Sequence, residues 1–236
     1  MLRTLFFYVT FYPWTFMAAF IALFLSLFSQ EIAHNFIHSW GRSCLLLAGL
    51  KIEVSGTENI PFDTPAIYVS NHQSNFDIPI IYSGLPVTFN WLAKKELFQI
   101  PLFGHAMKRS GCIPIDRTNR RSTMHSISEA AQQIKNGSSV IIFPEGTRSP
   151  DGRLQEFKKG ALLIAAKAQV PVVPIAIHGS YQILPKDRWR IIPGKLKLEI
   201  LPPIPTTGIK TRDIEQLTEK VHDMIATSLQ GASTNA

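Results

Sequence analysis

AIYVSNHQSNFDIPIIY, at residues 66–82, is the stretch that decides the fold of this chain. It joins a short apolar run to a polar turn and then to a second apolar run. A continuous apolar run that ends in turn residues is typical of a buried strand. The turn that follows carries His72 and Asp77. The sequence therefore predicts that one end of a strand delivers a base and an acid into the same loop.

His72 and Asp77 lie five positions apart, so they would not share a face of one ideal helix. The pair works better if His72 sits in the turn and Asp77 starts a helix, with Ser74 or Asn75 as its cap. Asp77 can then accept a hydrogen bond from one ring nitrogen and leave the other nitrogen free as a base. An ordinary polar turn with an incidental histidine is an equally good interpretation of these residues alone. A metal site is less well supported, because no nearby cysteine or glutamate completes it.

From residue 51 onward the pattern is that of an α/β domain. Strands are predicted at Ile52–Ser55, Ala66–Val69, Thr88–Leu92, Cys112–Ile115, Val140–Phe143, Val172–Ile177 and Lys195–Ile200. Helices are predicted at Arg120–Lys135, Lys159–Ala168 and Thr211–Leu229. Short, continuously apolar strands suit a sheet that helices cover on both faces. We therefore predict one α/β domain over residues 51–236, with a mixed, mostly parallel sheet flanked by helices.

The first fifty residues have a different composition. No charged residue occurs from Leu5 to Phe28, and about 20 apolar residues suffice for a helix to cross a bilayer. A signal peptide has a shorter apolar region that ends at small residues, and this run offers no good site of that kind. Residues 31–50 predict a second helix that lies in the interface or packs back on the first as a hairpin. Residues 1–50 are therefore predicted to be a two-helix membrane anchor.

The overall composition also favours a membrane or an anionic small molecule. The chain carries a formal charge of +7, and 17% of its residues are charged, where a soluble domain has roughly 25%. Such a balance suits an anionic bilayer surface or a phosphorylated substrate. Nucleic acid is disfavoured as a partner, because the sequence has no dense run of lysine and arginine and no nucleic-acid-binding motif. Cys44 and Cys112 lack the spacing of a metal site.

FPEGTRS, at residues 143–149, follows a predicted strand and contains groups that suit an anion. Ligands of open α/β sheets bind where strands end. Gly146 allows the backbone to bend, Thr147 supplies a hydroxyl, and Arg148 supplies a forked cation suited to phosphate or carboxylate. Taken alone, these residues more commonly form a glycine turn with a surface arginine.

Further cations follow two other predicted strands. Asp116 and Arg117 end one strand and Lys94 ends another. Each is unremarkable alone, since a surface ion pair has little effect. Together they would gather positive charge at the strand ends that also hold His72. That arrangement suits a substrate whose phosphate is fixed while a neighbouring hydroxyl loses its proton.

With these motifs in order, the chain resembles the 1-acylglycerol-3-phosphate acyltransferases of the PlsC type, within the glycerolipid acyltransferase superfamily. The four blocks of that family match residues 71–77, 111–117, 143–149 and 170–176. The resemblance runs from about residue 51 to residue 200, and the apolar N-terminus fits it too. Four blocks in the correct order favour a functional His72 and Asp77 over an ordinary turn. Cys112 stands where the family often has a bulkier apolar residue.

The resemblance implies transfer of a fatty acyl group from an acyl-CoA or acyl carrier protein thioester to the 2-hydroxyl of lysophosphatidic acid, which gives phosphatidic acid. It implies that His72 is the general base and that Asp77 orients it. The residues implied to bind the acceptor are Lys94, Arg117, Glu145, Gly146, Thr147 and Arg148. The fourth block is expected to line the acyl site and the core. No metal, bound cofactor or acyl-enzyme is expected. Membrane phospholipids would surround the enzyme, with the active site on the cytoplasmic side of the inner membrane.

Three alternatives stay open at this point. The acceptor can be glycerol 3-phosphate or another lysophospholipid. The same base can activate water, which would make the protein a thioester or phosphoester hydrolase. A third hypothesis is a non-catalytic lipid-binding module at the membrane surface. The third hypothesis differs from the others on His72→Ala, which would leave a binding module intact but should cost a transferase at least roughly 100-fold in rate.

Overall fold

The computed structural model of the chain describes residues 1–101, 103–116, 118–158 and 160–233. Its α-helices are α1 (Leu2–Leu25), α2 (Gln30–Leu47), α3 (Asp77–Gly84), α4 (Phe103–Arg109), α5 (Arg120–Lys135), α6 (Leu163–Ala168), α7 (Ser180–Ile183) and α8 (Ile214–Ser233). Its strands are β1 (Ile52–Ser55), β2 (Ile67–Ser70), β3 (Asn90–Lys94), β4 (Ile113–Ile115), β5 (Val140–Ile142), β6 (Val172–His178) and β7 (Leu196–Ile200). Arg117 and Lys159, which the sequence predictions include, lie outside the described residues.

Within those ranges, seven strands form a sheet in the order β1-β7-β6-β2-β5-β3-β4. Only the β6–β7 pairing is antiparallel there, and all other neighbours run parallel. The prediction of a mixed, mostly parallel sheet flanked by helices is confirmed. β2, β3, β4 and β5 run in one direction, so the loops that follow them emerge at the same edge of the sheet. All four residues of β2 are buried, as the continuous apolar run predicted.

Several predicted boundaries need correction. The third strand begins at Asn90 rather than Thr88, because Phe89 is buried against the N-terminal helices instead of joining the sheet. The helix predicted from Lys159 begins at Leu163, after a turn in which the Leu163 N–H donates to the Gly160 carbonyl. α4 and α7 were not predicted, because they are only seven and four residues long and show too little periodicity.

The two N-terminal helices form an antiparallel hairpin. The indole N–H of Trp14 donates to Ser43 Oγ over 2.7 Å, and that of Trp40 donates to Thr15 Oγ1 over 3.2 Å. α1 runs without a break through Pro13. Of the described residues, α1 alone forms a helix long and apolar enough, by length and composition, to cross a membrane. The hairpin matches one of the two predicted arrangements, and its role as an anchor stays a prediction.

One face of this hairpin packs on the α/β domain. A Cβ atom added at Gly41 of α2 would lie 2.6 Å from Tyr82 Cβ of α3, so the two helices are in close contact there. The ring nitrogen Nδ1 of His38 donates to the Tyr82 carbonyl over 2.6 Å. On the other face, apolar side chains of α1 are exposed, namely those of Leu2, Leu5, Phe6, Val9, Tyr12, Phe16, Met17, Phe20 and Phe24. The hairpin is thus held to the domain while its outer surface is apolar.

Candidate active site

The loop after β2 is fixed to the neighbouring strand by Asn71. Its side-chain Nδ2 donates to the Ile177 carbonyl over 3.0 Å, and its Oδ1 accepts from the Ile177 N–H over 2.8 Å. Asn71 is fully buried, so these bonds satisfy an amide that has no access to water. The side chain continues the β2–β6 pairing for one more residue and defines where His72 leaves the sheet.

His72 and Asp77 are hydrogen-bonded in the structure. The distance between His72 Nδ1 and Asp77 Oδ2 is 2.8 Å, and the side chains are 16% and 0% exposed respectively. The same Oδ2 accepts the backbone N–H groups of Gln73 and Ser74 at 2.7 and 2.8 Å. A carboxylate can only accept, so Nδ1 donates its proton to Asp77, and in the neutral ring Nε2 is the nitrogen with the free lone pair.

Helix α3 begins at Asp77 as predicted, but its cap differs from the prediction. The N-cap is Phe76, which makes no side-chain capping bond, so Ser74 and Asn75 are not the caps. Ser74 Oγ accepts the Phe76 N–H over 3.1 Å and donates to the Leu184 carbonyl over 2.8 Å. The loop N–H groups turn toward the Asp77 carboxylate, and Ser74 ties the loop to the segment that follows β6.

Phe143 fixes the plane of the His72 imidazole. The rings of His72 and Phe143 are stacked, with centroids 3.9 Å apart and planes 8° from parallel. The stack restricts rotation of the ring about its Cβ–Cγ bond, while the Asp77 bond sets which edge faces the protein. Phe143 was predicted only to end a strand, and no spacing rule would have paired it with His72.

Glu145 is buried against the loop that carries His72. Its Oε1 accepts the His72 N–H over 2.7 Å, and its Oε2 accepts Gln155 Nε2 over 2.8 Å. Burial raises the pKa of Glu145, and the bonds from His72 and Gln155 oppose that rise. In addition, the Ser149 N–H donates to the His72 carbonyl over 2.8 Å. The FPEGTRS loop therefore holds His72 from both sides, and the Glu145 carboxylate is directed at the protein rather than at an open site.

The remaining predicted binding residues lie around the loop that follows β5 and at the end of β3. Gly146 has a φ of 75°, and a Cβ atom there would lie 2.6 Å from Lys158 Nζ. Lys158 is therefore a further cation over this loop, which the sequence analysis missed. Thr147 is exposed and Arg148 is half-buried. Lys94 is exposed and forms an ion pair of 3.4 Å with Glu96.

Asp116 is fixed just before Arg117. Its Oδ2 accepts Lys95 Nζ over 3.0 Å, and its Oδ1 accepts both the N–H and the hydroxyl of Thr118. Bonds from Thr118, followed by Lys95, lower the pKa of Asp116 to about 2. Arg117 itself lies outside the described residues.

A cavity of about 740 Å³ joins this polar edge to the hairpin. Its polar end is lined by His72, Lys94, Gly146, Thr147 and Arg148. Its apolar walls include Phe7, Tyr8, Phe11, Tyr12, Ala18, Ala22, Phe36 and Trp40 of α1 and α2. The hairpin thus builds part of the site, which the sequence analysis did not foresee. The small residues Ala18 and Ala22, four apart on α1, were the available signal. The segment 170–176, expected to line the acyl site, contributes to the core and does not line this cavity.

Residues 51–178 match the family model described as acyltransferase, which is more than half of the chain. The chain belongs to the acyltransferase family. The matched region starts at the first residue of the predicted α/β domain and ends with β6. It contains His72, Asp77 and the FPEGTRS loop.

Individual relatives agree with the family assignment. The chain is 43% identical over 173 residues to the chloroplastic 1-acyl-sn-glycerol-3-phosphate acyltransferase of Arabidopsis thaliana. This match covers 72% of this chain and 48% of the relative. It is 35% identical over 190 residues to 1-acyl-sn-glycerol-3-phosphate acyltransferase alpha of Homo sapiens, with 80% and 67% covered. The match spans about half the length of the plant chloroplast relatives.

A solved structure extends the likeness to almost the whole chain. The 1-acyl-sn-glycerophosphate acyltransferase PlsC of Thermotoga maritima superposes with a TM-score of 0.84 and is 35% identical, with 98% of this chain and 95% of that chain covered. Coverage of that extent includes the α1–α2 hairpin as well as the sheet. This acyltransferase therefore has a PlsC-like fold.

Proposed function

We propose that this acyltransferase is a 1-acyl-sn-glycerol-3-phosphate O-acyltransferase. It transfers a fatty acyl group from an acyl-CoA or acyl carrier protein thioester to the 2-hydroxyl of lysophosphatidic acid and produces phosphatidic acid. The observation that supports this most strongly is the placement of His72, with Nδ1 bonded to Asp77, at the cavity end that Arg148 and Lys94 also line. The names of the relatives point to the same acceptor.

His72 acts as the general base in this proposal. Nε2 removes the proton from the 2-hydroxyl of the acceptor as its oxygen attacks the thioester carbonyl carbon. The tetrahedral intermediate then collapses, the C–S bond breaks, and the thiolate leaves with the proton that His72 returns. Asp77 stays ionised throughout and stabilises the imidazolium that forms between the two proton transfers. The acceptor hydroxyl is the nucleophile, so no acyl-enzyme forms.

The cations position the acceptor by its phosphate. We assign Arg148 and Lys94 to the phosphate oxygens, because both line the polar end of the cavity. Arg117, which the family resemblance adds, is proposed to join them. Thr147 and the backbone at Gly146 complete the acceptor site. Glu145 is assigned a positioning role instead, since its two oxygens hold His72 and Gln155.

The N-terminal hairpin is proposed to hold the α/β domain at the membrane. Lysophosphatidic acid is embedded in the bilayer by its acyl chain, and exposing that chain to water costs ~0.8 kcal/mol per CH₂. An enzyme that meets its acceptor at the interface avoids this cost. The apolar walls from α1 and α2 suit a fatty acyl chain. Because the thioester donor is soluble, the active site is placed on the cytoplasmic side of the inner membrane.

Release of free thiol from acyl-CoA, with and without lysophosphatidic acid, tests this function. A transferase releases thiol only with the acceptor present, and mass spectrometry should then find one phosphatidic acid per thiol. His72→Ala should lower the rate at least roughly 100-fold. His125→Ala, which changes an exposed histidine on α5, is the matched control and should leave the rate unchanged. Thiol release that ignores the acceptor would identify a hydrolase instead.

The choice of acceptor is tested by competition. Lysophosphatidic acid, glycerol 3-phosphate and monoacylglycerol are offered together with one donor, and products are separated by mass. If Arg148 holds the phosphate, Arg148→Ala removes a charged hydrogen bond to lysophosphatidic acid. The ratio of the lysophosphatidic acid product to the monoacylglycerol product should then fall by at least about tenfold. An unchanged preference would remove Arg148 from the phosphate site.

A further inference from the structure

The segment that connects α7 to β7 is an exposed cationic loop with two apolar side chains. Residues 185–195 have the sequence PKDRWRIIPGK, with four cations and one acidic residue. Trp189 is 56% exposed and Ile192 is 49% exposed. The ion pairs recorded for the described residues include none of the four cations, Lys186, Arg188, Arg190 and Lys195. We call residues 185–195 the basic loop.

The basic loop is held in place by its centre. Ile191 is 4% exposed and belongs to the hydrophobic core cluster that also contains Ile183 and Leu196. Its N–H donates to Thr4 Oγ1 over 3.3 Å, and the Ile192 N–H donates to the Ile183 carbonyl over 2.9 Å. These contacts fix the backbone on both sides of Ile191. Trp189 and Ile192 are therefore presented outward from a fixed backbone.

The loop is continuous with the apolar start of α1. Its partner Thr4 lies in the first turn of that helix, where Leu2 is 86% exposed and Leu5 is 61% exposed. The other end of the basic loop joins the active site, because the Leu184 carbonyl just before it accepts the hydroxyl of Ser74. Hydrogen bonds thus link the basic loop to the first turn of α1 at its centre, and link Leu184 just before it to the buried Ser74 that supports the His72 loop.

We propose that the basic loop is a second membrane contact, separate from the hairpin, and that its ligand is an anionic phospholipid surface. Trp189 and Ile192 enter the interface, where amphipathic aromatic rings are favoured. Arg188, Arg190 and Lys195 bind the lipid phosphates. The loop then sets the height of the His72 site above the bilayer.

Two observations favour lipid over an acidic carrier protein. The cations alone would suit either partner, but an exposed tryptophan and isoleucine add an apolar component that lies beside the apolar start of α1. A bilayer accommodates both surfaces at once, because its anionic headgroups overlie an apolar interior. The inference rests on the proposed membrane location and not on the acyl-transfer chemistry.

Site-directed fluorescence quenching in the full chain tests the proposal. A fluorophore is attached at Trp189→Cys, in protein whose Cys44 and Cys112 are replaced by alanine, reconstituted in phosphatidylcholine vesicles with or without phosphatidylglycerol. Phe62→Cys is the matched control, since Phe62 is 66% exposed and its segment contacts the opposite end of β7 through Asn59 and the Ile200 carbonyl. Lipids with a nitroxide on the acyl chain serve as the quencher.

We expect the label at position 189 to be quenched in anionic vesicles and the label at position 62 to stay unquenched. The equilibrium constant between lipid-bound and free basic loop follows from the quenched fraction of the label at position 189. Arg188→Glu with Arg190→Glu should lower this constant at least about fivefold for each cation lost, as expected for cations at an anionic surface. Lys135→Glu with Lys220→Glu changes net charge equally on the exposed surfaces of α5 and α8 and should have no effect.

Equal quenching at positions 189 and 62 would overturn the proposal. Quenching at position 189 that is the same with and without phosphatidylglycerol would overturn it as well. A third outcome also overturns it. If position 189 stays unquenched while the Arg188/Arg190 variant slows only the reaction with an acyl carrier protein donor, the loop is a protein-docking surface. The quenching measurement needs no turnover. Its result would therefore be the same if the acyl-transfer proposal failed, and the two proposals can be rejected separately.

Discussion

The carboxylate of Glu145 accepts the backbone N–H of His72 over 2.7 Å. The Ser149 N–H reaches the carbonyl of the same histidine over 2.8 Å. Two loops from neighbouring strands, β2 and β5, are thus joined at the residue we propose as the base. The arrangement explains why an acidic residue stands in a loop that is otherwise suited to an anionic substrate. Its negative charge is used to hold His72 in place and is kept away from the cavity.

Glu145→Ala should therefore impair the base rather than acceptor binding. The His72 N–H would lose its partner in a buried setting, which costs about 1–3 kcal/mol of stability. We expect kcat to fall at least about tenfold, with KM for lysophosphatidic acid little changed. Glu145→Gln keeps an oxygen for His72 and should recover most of the rate. If KM rises while kcat is preserved, Glu145 contacts the acceptor, as the sequence analysis expected.

Asp77→Asn should reduce kcat at least about 100-fold, on the scale of general acid–base catalysis. An asparagine can still accept from the loop N–H groups, but it loses the charge that stabilises the imidazolium and fixes the proton on Nδ1. Steady-state rates and a thermal melt should be measured together. A variant that melts like the parent and keeps its rate would exclude Asp77 from the mechanism.

Phe143→Leu should lower kcat by a factor of about 2–10, the range that corresponds to the 0.5–1.5 kcal/mol of an aromatic pair. Leucine fills part of the space but cannot stack on the imidazole, so His72 gains rotational freedom. Phe143→Tyr keeps the ring and is the control. The nitrogen-15 resonances of the His72 ring should broaden in the leucine variant only. Equal rates in all three proteins would show that the stack has no role in turnover.

Stability should fall in acid because of His34. Burial, and next the nearby His38, lower the pKa of His34 from 6.5 to about 4, and its Nε2 accepts the Phe89 N–H over 3.2 Å. His34 therefore binds a proton below about pH 6.5 in the unfolded chain but only below about pH 4 in the folded protein. Stability contributed by neutral His34 is lost as pH falls through this window, by about 2 kcal/mol between pH 7 and pH 5.

Thermal melts in detergent at pH 7 and pH 5 check this expectation. His34→Gln retains an acceptor for the Phe89 N–H and does not titrate, so its Tm should drop less than that of the parent between the two pH values. With 2–4 °C per kcal/mol for a protein of about this size, the difference should be roughly 4–8 °C. Identical pH responses would show that His34 does not cause the acid sensitivity.

Many elements of the fold followed directly from local sequence. The continuous apolar run before Asn71 predicted β2, and the helical spacing of residues 120–135 predicted α5 with the correct bounds. The order of the four blocks led to the acyltransferase family. These features are local because the period of apolar residues and the residues of a turn are set within a few positions. Short elements with weak periodicity, such as α4, lacked that signal.

The geometry of the site was decided by contacts between residues far apart in the chain. The motifs and the family resemblance predicted roles for His72, Asp77 and Glu145, but not that Glu145 would hold the His72 backbone or that Phe143 would stack on its ring. Nor did it show that α1 would wall the cavity. The turn at residues 71–77 by itself predicted a candidate base and its orienting acid, and the four blocks in order favoured that interpretation over an ordinary turn. Its attachment depends on β5 lying beside β2, because only the sheet brings side chains more than 60 positions apart into hydrogen-bonding distance.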